Sequence, residues 1–231
     1  MNREGNREGG GRRRTYLAAT IALAAALAIP SSSVIGQPND LTISASRDRV
    51  TFGGATTISG RLKTGPVKAG VLVTLQANPA PYMGGFADVG TTTTDTQGRY
   101  RFEDVAPDQN TRYRVRTTLP AATSAELLVE VRFKVALRLS DRTPLRGQRV
   151  RFFGTVAPEH DGRLVAIQRR TAAGNWRTVK RTVLKDAGSE FSSFRKRVKI
   201  RRDGVYRAKV FHDADHVDGA SRPKLVDVIN R

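Results

Sequence analysis

The sequence predicts an all-β protein built of two tandem β-sandwiches, and three observations carry the prediction. Apolar and polar residues alternate in short runs, turn-forming Gly, Pro and Asp punctuate those runs, and the chain beyond Gly36 repeats itself at offsets of 92 to 94 residues. The repeated blocks come in the same order. Thr57-Ile58-Ser59-Gly60-Arg61-Leu62 matches Arg151-Phe152-Phe153-Gly154-Thr155-Val156, with Gly53 on Gly147. Val71-Leu72-Val73-Thr74-Leu75-Gln76 matches Arg163-Leu164-Val165-Ala166-Ile167-Gln168, and Tyr113-Arg114-Val115-Arg116 matches Tyr206-Arg207-Ala208-Lys209. Ordered blocks at near-constant spacing point to duplication of a unit of ordinary small-domain size.

Ahead of the repeat, residues 1–36 read as an export segment rather than as fold. Arg12, Arg13 and Arg14 form a positive region, and Leu17 to Ile29 form an apolar run of 13 residues, short of the ~18 to 20 that span a bilayer. Pro30 and Ser31 to Ser33 break the run, and cleavage is expected near Gly36. Arg13-Arg14-Thr15-Tyr16-Leu17 resembles a twin-arginine signature, although Arg12 stands where Ser or Thr is usual. Twin-arginine export, ordinary secretion and an uncleaved anchor all fit this segment, which is the only part expected to touch a membrane. The localisation expected is extracellular or cell-envelope associated.

Within each half the alternation assigns faces. Ile58, Gly60 and Leu62 share one face, as do Val71, Val73 and Leu75, while Thr57, Ser59 and Arg61 point the other way. In the second half Val150, Phe152 and Val156 face inward and Arg149, Arg151 and Thr155 outward. Turns fall at Thr64-Gly65-Pro66, Asp95 to Gly98, Ala157-Pro158, His160-Asp161-Gly162, Asp186-Ala187-Gly188 and Asp203-Gly204. No window of ten or more residues beyond Gly36 shows a 3.6 period. The expected organisation is an export segment over 1–36, a first sandwich over 37–131 and a second over 132–231, each of about six or seven strands.

These residues resemble a family. Ala69-Gly70-Val71-Leu72-Val73-Thr74-Leu75, Thr94-Asp95 with Gly98-Arg99-Tyr100-Arg101-Phe102, and Tyr113-Arg114-Val115 resemble the bacterial immunoglobulin-like and carboxypeptidase-regulatory-like β-sandwich modules of exported proteins. Gly204-Val205-Tyr206-Arg207-Ala208 resembles the same pattern in the second half. The resemblance implies Greek-key sandwiches with Tyr113 and Tyr206 as structural tyrosines, Tyr206 closing an inter-strand corner through its hydroxyl. It also implies a spacer, adhesive or ligand-binding role. Ala208 stands two residues after Tyr206, so no disulfide forms there.

Charge is unevenly spread. The chain carries 40 Lys+Arg against 21 Asp+Glu, net +19. Residues 37–131 hold 10 against 9, whereas residues 132–231 hold 25 against 10. The densest cations are Arg169, Arg170, Arg177, Lys180 and Arg181, and the run Arg195, Lys196, Arg197, Lys199, Arg201, Arg202. On a strand, Val198 and Ile200 face the core while Arg197, Lys199 and Arg201 line the other face at about 6.6 Å intervals. Such a ladder suits a polyanion: an anionic wall polymer, an acidic polysaccharide, phospholipid headgroups or extracellular DNA without sequence specificity. Against this, Arg outnumbers Lys 31 to 9, which coding bias alone produces. A continuous basic face would favour polyanion binding, and Arg dispersed among Asp partners a purely structural module.

Other constellations are weaker. The absence of Cys rules out disulfides, cysteine metal sites and cysteine nucleophiles. His212-Asp213-Ala214-Asp215-His216-Val217-Asp218-Gly219 lacks EF-hand spacing, and His212 and His216 have no third ligand apparent, so the loop is expected to cap its own turns, with neither metal nor cofactor. Tyr82 and Phe86, in the Pro79 to Phe86 loop, are expected to fold back as a lid over a core end rather than bind a ligand. His160 sits in a turn of its own, no G-x-S-x-G, P-loop or GxGxxG occurs, and no catalytic residue is assigned.

Overall fold

The computed structural model describes residues 40–63, 65 and 68–230. The expected export segment, and Thr64 and Pro66 of the first expected turn, lie outside the described residues. Every element described is a strand. In the first half these are β1 (Ser44–Ala45), β2 (Arg49–Thr51), β3 (Thr56–Arg61), β4 (Leu72–Pro79), β5 (Ala87–Thr93), β6 (Arg99–Val105), β7 (Thr111–Thr118), β8 (Ala121–Thr123) and β9 (Leu127–Arg132). One sheet runs β1-β3-β6 and the other β2-β9-β7-β4-β5, with β8 also on β7. The second half holds β10 (Lys134–Val135), β11 (Arg138–Leu139), β12 (Arg149–Ala157), β13 (Leu164–Arg170), β14 (Trp176–Val183), β15 (Lys185–Asp186), β16 (Ser192–Lys199), β17 (Gly204–Val210), β18 (Gly219–Ala220) and β19 (Lys224–Val226). Its sheets are β10-β12-β16-β15, with β11 on β12, and β14-β13-β17-β18, with β19 on β17.

Both halves are thus immunoglobulin-like sandwiches of Greek-key connectivity. β3 pairs with β6 across the sequence of β4 and β5, and β12 pairs with β16 across β13 to β15. Period two explains why these segments are strands with one buried face: Ile58, Val73, Leu75, Val115 and Val129 fill the first core, and Val150, Phe152, Val165, Ile167 and Val198 the second. Each such side chain contributes about 1.5–3 kcal/mol through burial. Arg149 and Arg151 are exposed beside buried Val150 and Phe152.

The duplication extends to interactions. Gln76 is buried on the outer side of β4 and accepts from Arg114 Nε at 2.7 Å, while the Arg114 guanidinium lies 4.1 Å above the Phe86 ring. Its counterpart Gln168 accepts from Arg207 Nε at 2.9 Å, and Arg207 lies 4.2 Å above Trp176. Ser124 and Ser221 each accept a buried backbone N–H, from Val115 and Ala208, at 3.0 Å.

Gly60 and Gly154 occupy equivalent places because the opening segment of each sandwich crosses there, at Thr42 just ahead of β1 and at Ala136 just after β10. A Cβ on Gly60 would stand 2.7 Å from the Tyr100 ring and closer still to the Thr42 carbonyl oxygen. One on Gly154 would stand 2.8 Å from the Ala136 carbonyl carbon and closer still to its oxygen, with the Phe194 ring at 3.1 Å.

Tyr113 and Tyr206 are both buried. Tyr206 packs edge-on against Phe152, with ring centroids 5.4 Å apart. The corner bond expected of its hydroxyl is found elsewhere: the Tyr100 hydroxyl donates to the Thr42 carbonyl, tying β6 to the segment ahead of β1.

Between the two cores the chain passes directly from β9 through Phe133 to β10. The β17–β18 loop docks on this crossing. The Val217 N–H donates to the Val131 carbonyl at 2.8 Å, and the Asn110 N–H to the Asp215 carbonyl at 2.7 Å.

Candidate functional site

The outer face of the β12–β16 sheet is where cations gather. In register, Arg149 lies opposite Lys199, Arg151 opposite Arg197, and Phe153 opposite Arg195, while Arg138 of β11 pairs with Phe153 from the other side. Alternate residues point outward, so these cations repeat at about 6.6 Å along each strand and about 4.8 Å between strands. Like charges directly opposite on a sheet repel. Among the described residues no carboxylate comes within ion-pair distance of any of the six, the ion pairs being made by Arg49, Arg101, Arg112, Arg116, Arg163, Lys209 and the three His. A depression of about 890 Å³ opens on this face, its charged lining consisting of Arg138, Arg151, Lys185 and Arg195, without a carboxylate. Phe153 lies in it, half-buried, with the Arg151 guanidinium 5.2 Å from its ring centre.

The eleven basic residues singled out from the sequence do not form one surface. Arg195, Arg197 and Lys199 are exposed on the face just described. Lys196 belongs instead to the inward alternation of β16, between Phe194 and Val198, and is half-buried opposite Phe152. Arg201, beyond the end of β16, is exposed. Arg169, Arg170, Arg177 and Arg202 line a separate recess of about 480 Å³ on the other sheet. There Arg169 Nη2 donates to the Asp203 carbonyl at 3.0 Å and Arg170 Nε to the Gly174 carbonyl at 3.2 Å, so two of the four are partly spent on loop backbone. Lys180 and Arg181 are exposed on β14, opposite Ile167 and Ala166. Sequence reasoning missed Arg138, Arg149, Arg151 and Lys185 as members of the cationic face. The outward alternation of Arg149 and Arg151 was legible, but their neighbourhood to β16 depends on Greek-key pairing.

A second cluster lies where the two sandwiches meet. His160 from the β12–β13 loop and Asp213 and His216 from the β17–β18 loop place their ligand atoms within 4.8 Å of one another. His160 Nε2 is 3.1 Å from Asp213 Oδ2, and His216 Nδ1 is 3.6 Å from Asp213 Oδ1. His216 is buried, stacked on Phe133 at 4.9 Å, and its Nε2 meets the Asp108 carbonyl of the first sandwich at 2.9 Å. Burial holds the His216 imidazole below its ordinary pKa. Asp213 Oδ1 also accepts the backbone N–H of Asp215 and His216, at 2.9 and 2.6 Å, which is turn-capping. The partner that the sequence did not supply for His216 is therefore His160, distant in the chain. His212 stays exposed and faces Asp218 at 3.2 Å.

Tyr82 and Phe86 do not lid a core end. Both rings lie half-buried under arginines of β7, Arg112 at 4.4 Å from the Tyr82 centroid and Arg114 at 4.1 Å from that of Phe86, while Met83 between them is exposed.

No protein-family model matches this chain, and no curated protein matches it. Among solved structures it is similar to the tetra-tandem repeat in the extending region of a large adhesion protein, at 16% identity and a TM-score of 0.36 over 81% of this chain and 49% of that one. It is also similar to red sea bream transglutaminase, at 12% identity and a TM-score of 0.40 over 84% of this chain and 32% of that one. A Salmonella alpha-2-macroglobulin mutant is 10% identical with a TM-score of 0.34, over 84% and 16% of the two chains. The chain thus spans about half the length of the adhesion-protein structure and less of the other two.

Proposed function

We propose that this chain is an exported, non-enzymatic binding module of the cell envelope, organised as sandwiches over 37–131 and 132–231, whose second sandwich holds an anionic polymer. The observation that carries the reading is the array of Arg138, Arg149, Arg151, Arg195, Arg197 and Lys199 on one sheet face, in register and without carboxylate partners among the described residues. Such an array raises the energy of the free protein through mutual repulsion, and a polymer of regularly spaced phosphates, sulfates or carboxylates relieves it while releasing counterions. Recognition is of backbone charge rather than of bases. Trp176 is covered by Arg207 and Phe153 is flanked by Arg151, so these two aromatic faces are already occupied by guanidinium groups.

The test is retention on immobilised polyphosphate across a salt gradient. A triple variant, Arg149→Gln with Arg151→Gln and Arg197→Gln, is compared with one neutralising Arg47, Lys68 and Arg99 of the first sandwich. Each lost phosphate contact lowers the slope of log affinity against log salt by about 0.7–0.9, so the first variant loses about 2 to 3 in slope and the second almost none. Equal losses would mean that only net charge matters and would overturn the assignment.

A further inference from the structure

We propose that His160, Asp213 and His216 form a binding site for a late first-row divalent metal ion, zinc being the probe, which cross-braces the two loops at the junction of the sandwiches. The argument starts from protons. A backbone carbonyl only accepts, so His216 Nε2, 2.9 Å from the Asp108 carbonyl, carries the proton of the neutral ring and leaves Nδ1 as a bare lone pair. That Nδ1 is buried and has no hydrogen-bond partner. His160 has its Nδ1 3.3 Å from the Pro158 carbonyl and its Nε2 3.1 Å from Asp213 Oδ2; the tautomer with the proton on Nδ1 donates to Pro158 and frees Nε2 as a ligand. A buried nitrogen lone pair without a partner, a second imidazole and a carboxylate thus lie within 4.8 Å of one another, a donor set that a cation would complete.

Size and chemistry agree with such an ion. Zinc–ligand bonds of about 2.0–2.1 Å in tetrahedral geometry place neighbouring ligand atoms about 3.4 Å apart; here one atom from each residue lies within 4.8 Å of the others, with His160 3.1 Å from Asp213 Oδ2 and His216 3.6 Å from Oδ1, so a small closure of the two loops reaches that spacing. Two imidazoles and a carboxylate suit zinc, cobalt or nickel rather than calcium or magnesium. Each imidazole has a backbone carbonyl beside its other nitrogen, at 2.9 Å for His216 and 3.3 Å for His160, the outer-shell arrangement that orients metal-bound histidines. A cavity of about 910 Å³ lined by both His160 and His216 lies beside the cluster. Arg163 Nη1, 3.2 Å from Asp213 Oδ2, competes for that oxygen and weakens the site without filling the space between the imidazoles.

The experiment is calorimetric titration of zinc into chelator-treated full-length chain, with cobalt absorption as a second readout. Binding of one ion per chain is expected, with a visible cobalt spectrum of low-symmetry nitrogen and oxygen coordination and a higher melting temperature in zinc. His160→Gln, at a half-buried position that leaves Phe133 packing to His216, should weaken binding at least tenfold and abolish the cobalt spectrum. Asp213→Asn should do the same while keeping its turn-capping oxygen, and His212→Gln should change neither. No uptake by the unaltered chain, or uptake lost in His212→Gln and retained in His160→Gln, would overturn the proposal.

Discussion

Gly154→Ala tests the closest approach in the second sandwich. The new Cβ would overlap the Ala136 carbonyl oxygen, and it would stand 2.8 Å from the carbonyl carbon and 3.1 Å from Phe194 Cζ, against a comfortable carbon–carbon separation of about 3.5–4.0 Å. The clash with the Ala136 carbonyl oxygen is with backbone, so no Phe194 rotamer relieves it and the segment joining β10 to β11 must move out by about 1 Å. Moving it strains the Ala136 N–H to Thr155 carbonyl bond of 2.9 Å and the pairing of Val135 with Val156. Overpacking of this kind costs about 1–3 kcal/mol. Taking about 2 kcal/mol, the melting temperature of a sandwich this size falls by about 8–16 °C. Calorimetry measures the fall, and hydrogen exchange should show faster loss of protection at Ala136 than at Ile167. Gly84→Ala, where a Cβ meets open space, is the control and should stay within about 0.5 kcal/mol. A Gly154→Ala melting temperature equal to that control would refute the crossing-strand account.

Three further outcomes follow from the same structure. Gly60→Ala should destabilise the first sandwich comparably, since its Cβ would meet Thr42 and Tyr100, and calorimetry of the full chain reads it. Ser221→Ala leaves the buried Ala208 N–H without an acceptor and should cost about 1–3 kcal/mol in denaturant melts, with Ser124→Ala matching it at Val115. Burial pushes the Tyr113 hydroxyl up to about 12, so this ring stays neutral in the fold while the unfolded chain ionises near its ordinary value of about 10. Its contribution is complete below pH ~10 and disappears as pH rises through about 12; Tyr113→Phe should flatten the stability curve across that window by one proton, and an unchanged curve would show that Tyr113 is not the titrating group.

The residues explain how far sequence reasoning reaches. Alternation at Val150, Phe152 and Val198 was readable because a strand's two faces are set by adjacent residues, and the exposed outward positions of Arg197 and Lys199 came with it. Lys196 broke the simple reading of the basic run, since its place in the same alternation turns it inward. The repeated Gly60 and Gly154 were visible as a pattern, but their necessity came from the crossing chain at Thr42 and Ala136.

By itself the sequence determined an all-β, cysteine-free duplication with its excess charge in the second half, because periodicity, turn chemistry and composition are local properties. Only the tertiary structure decided which cations are neighbours. The Greek-key path sets β12 beside β16 and so joins Arg149 and Arg151 to Lys199 and Arg197, while Arg169 and Arg177 go to the opposite sheet. It likewise brought His160 to His216 across two loops and a sandwich junction. Pairing between distant strands is fixed by closure of a shared core, and no short stretch of sequence encodes it.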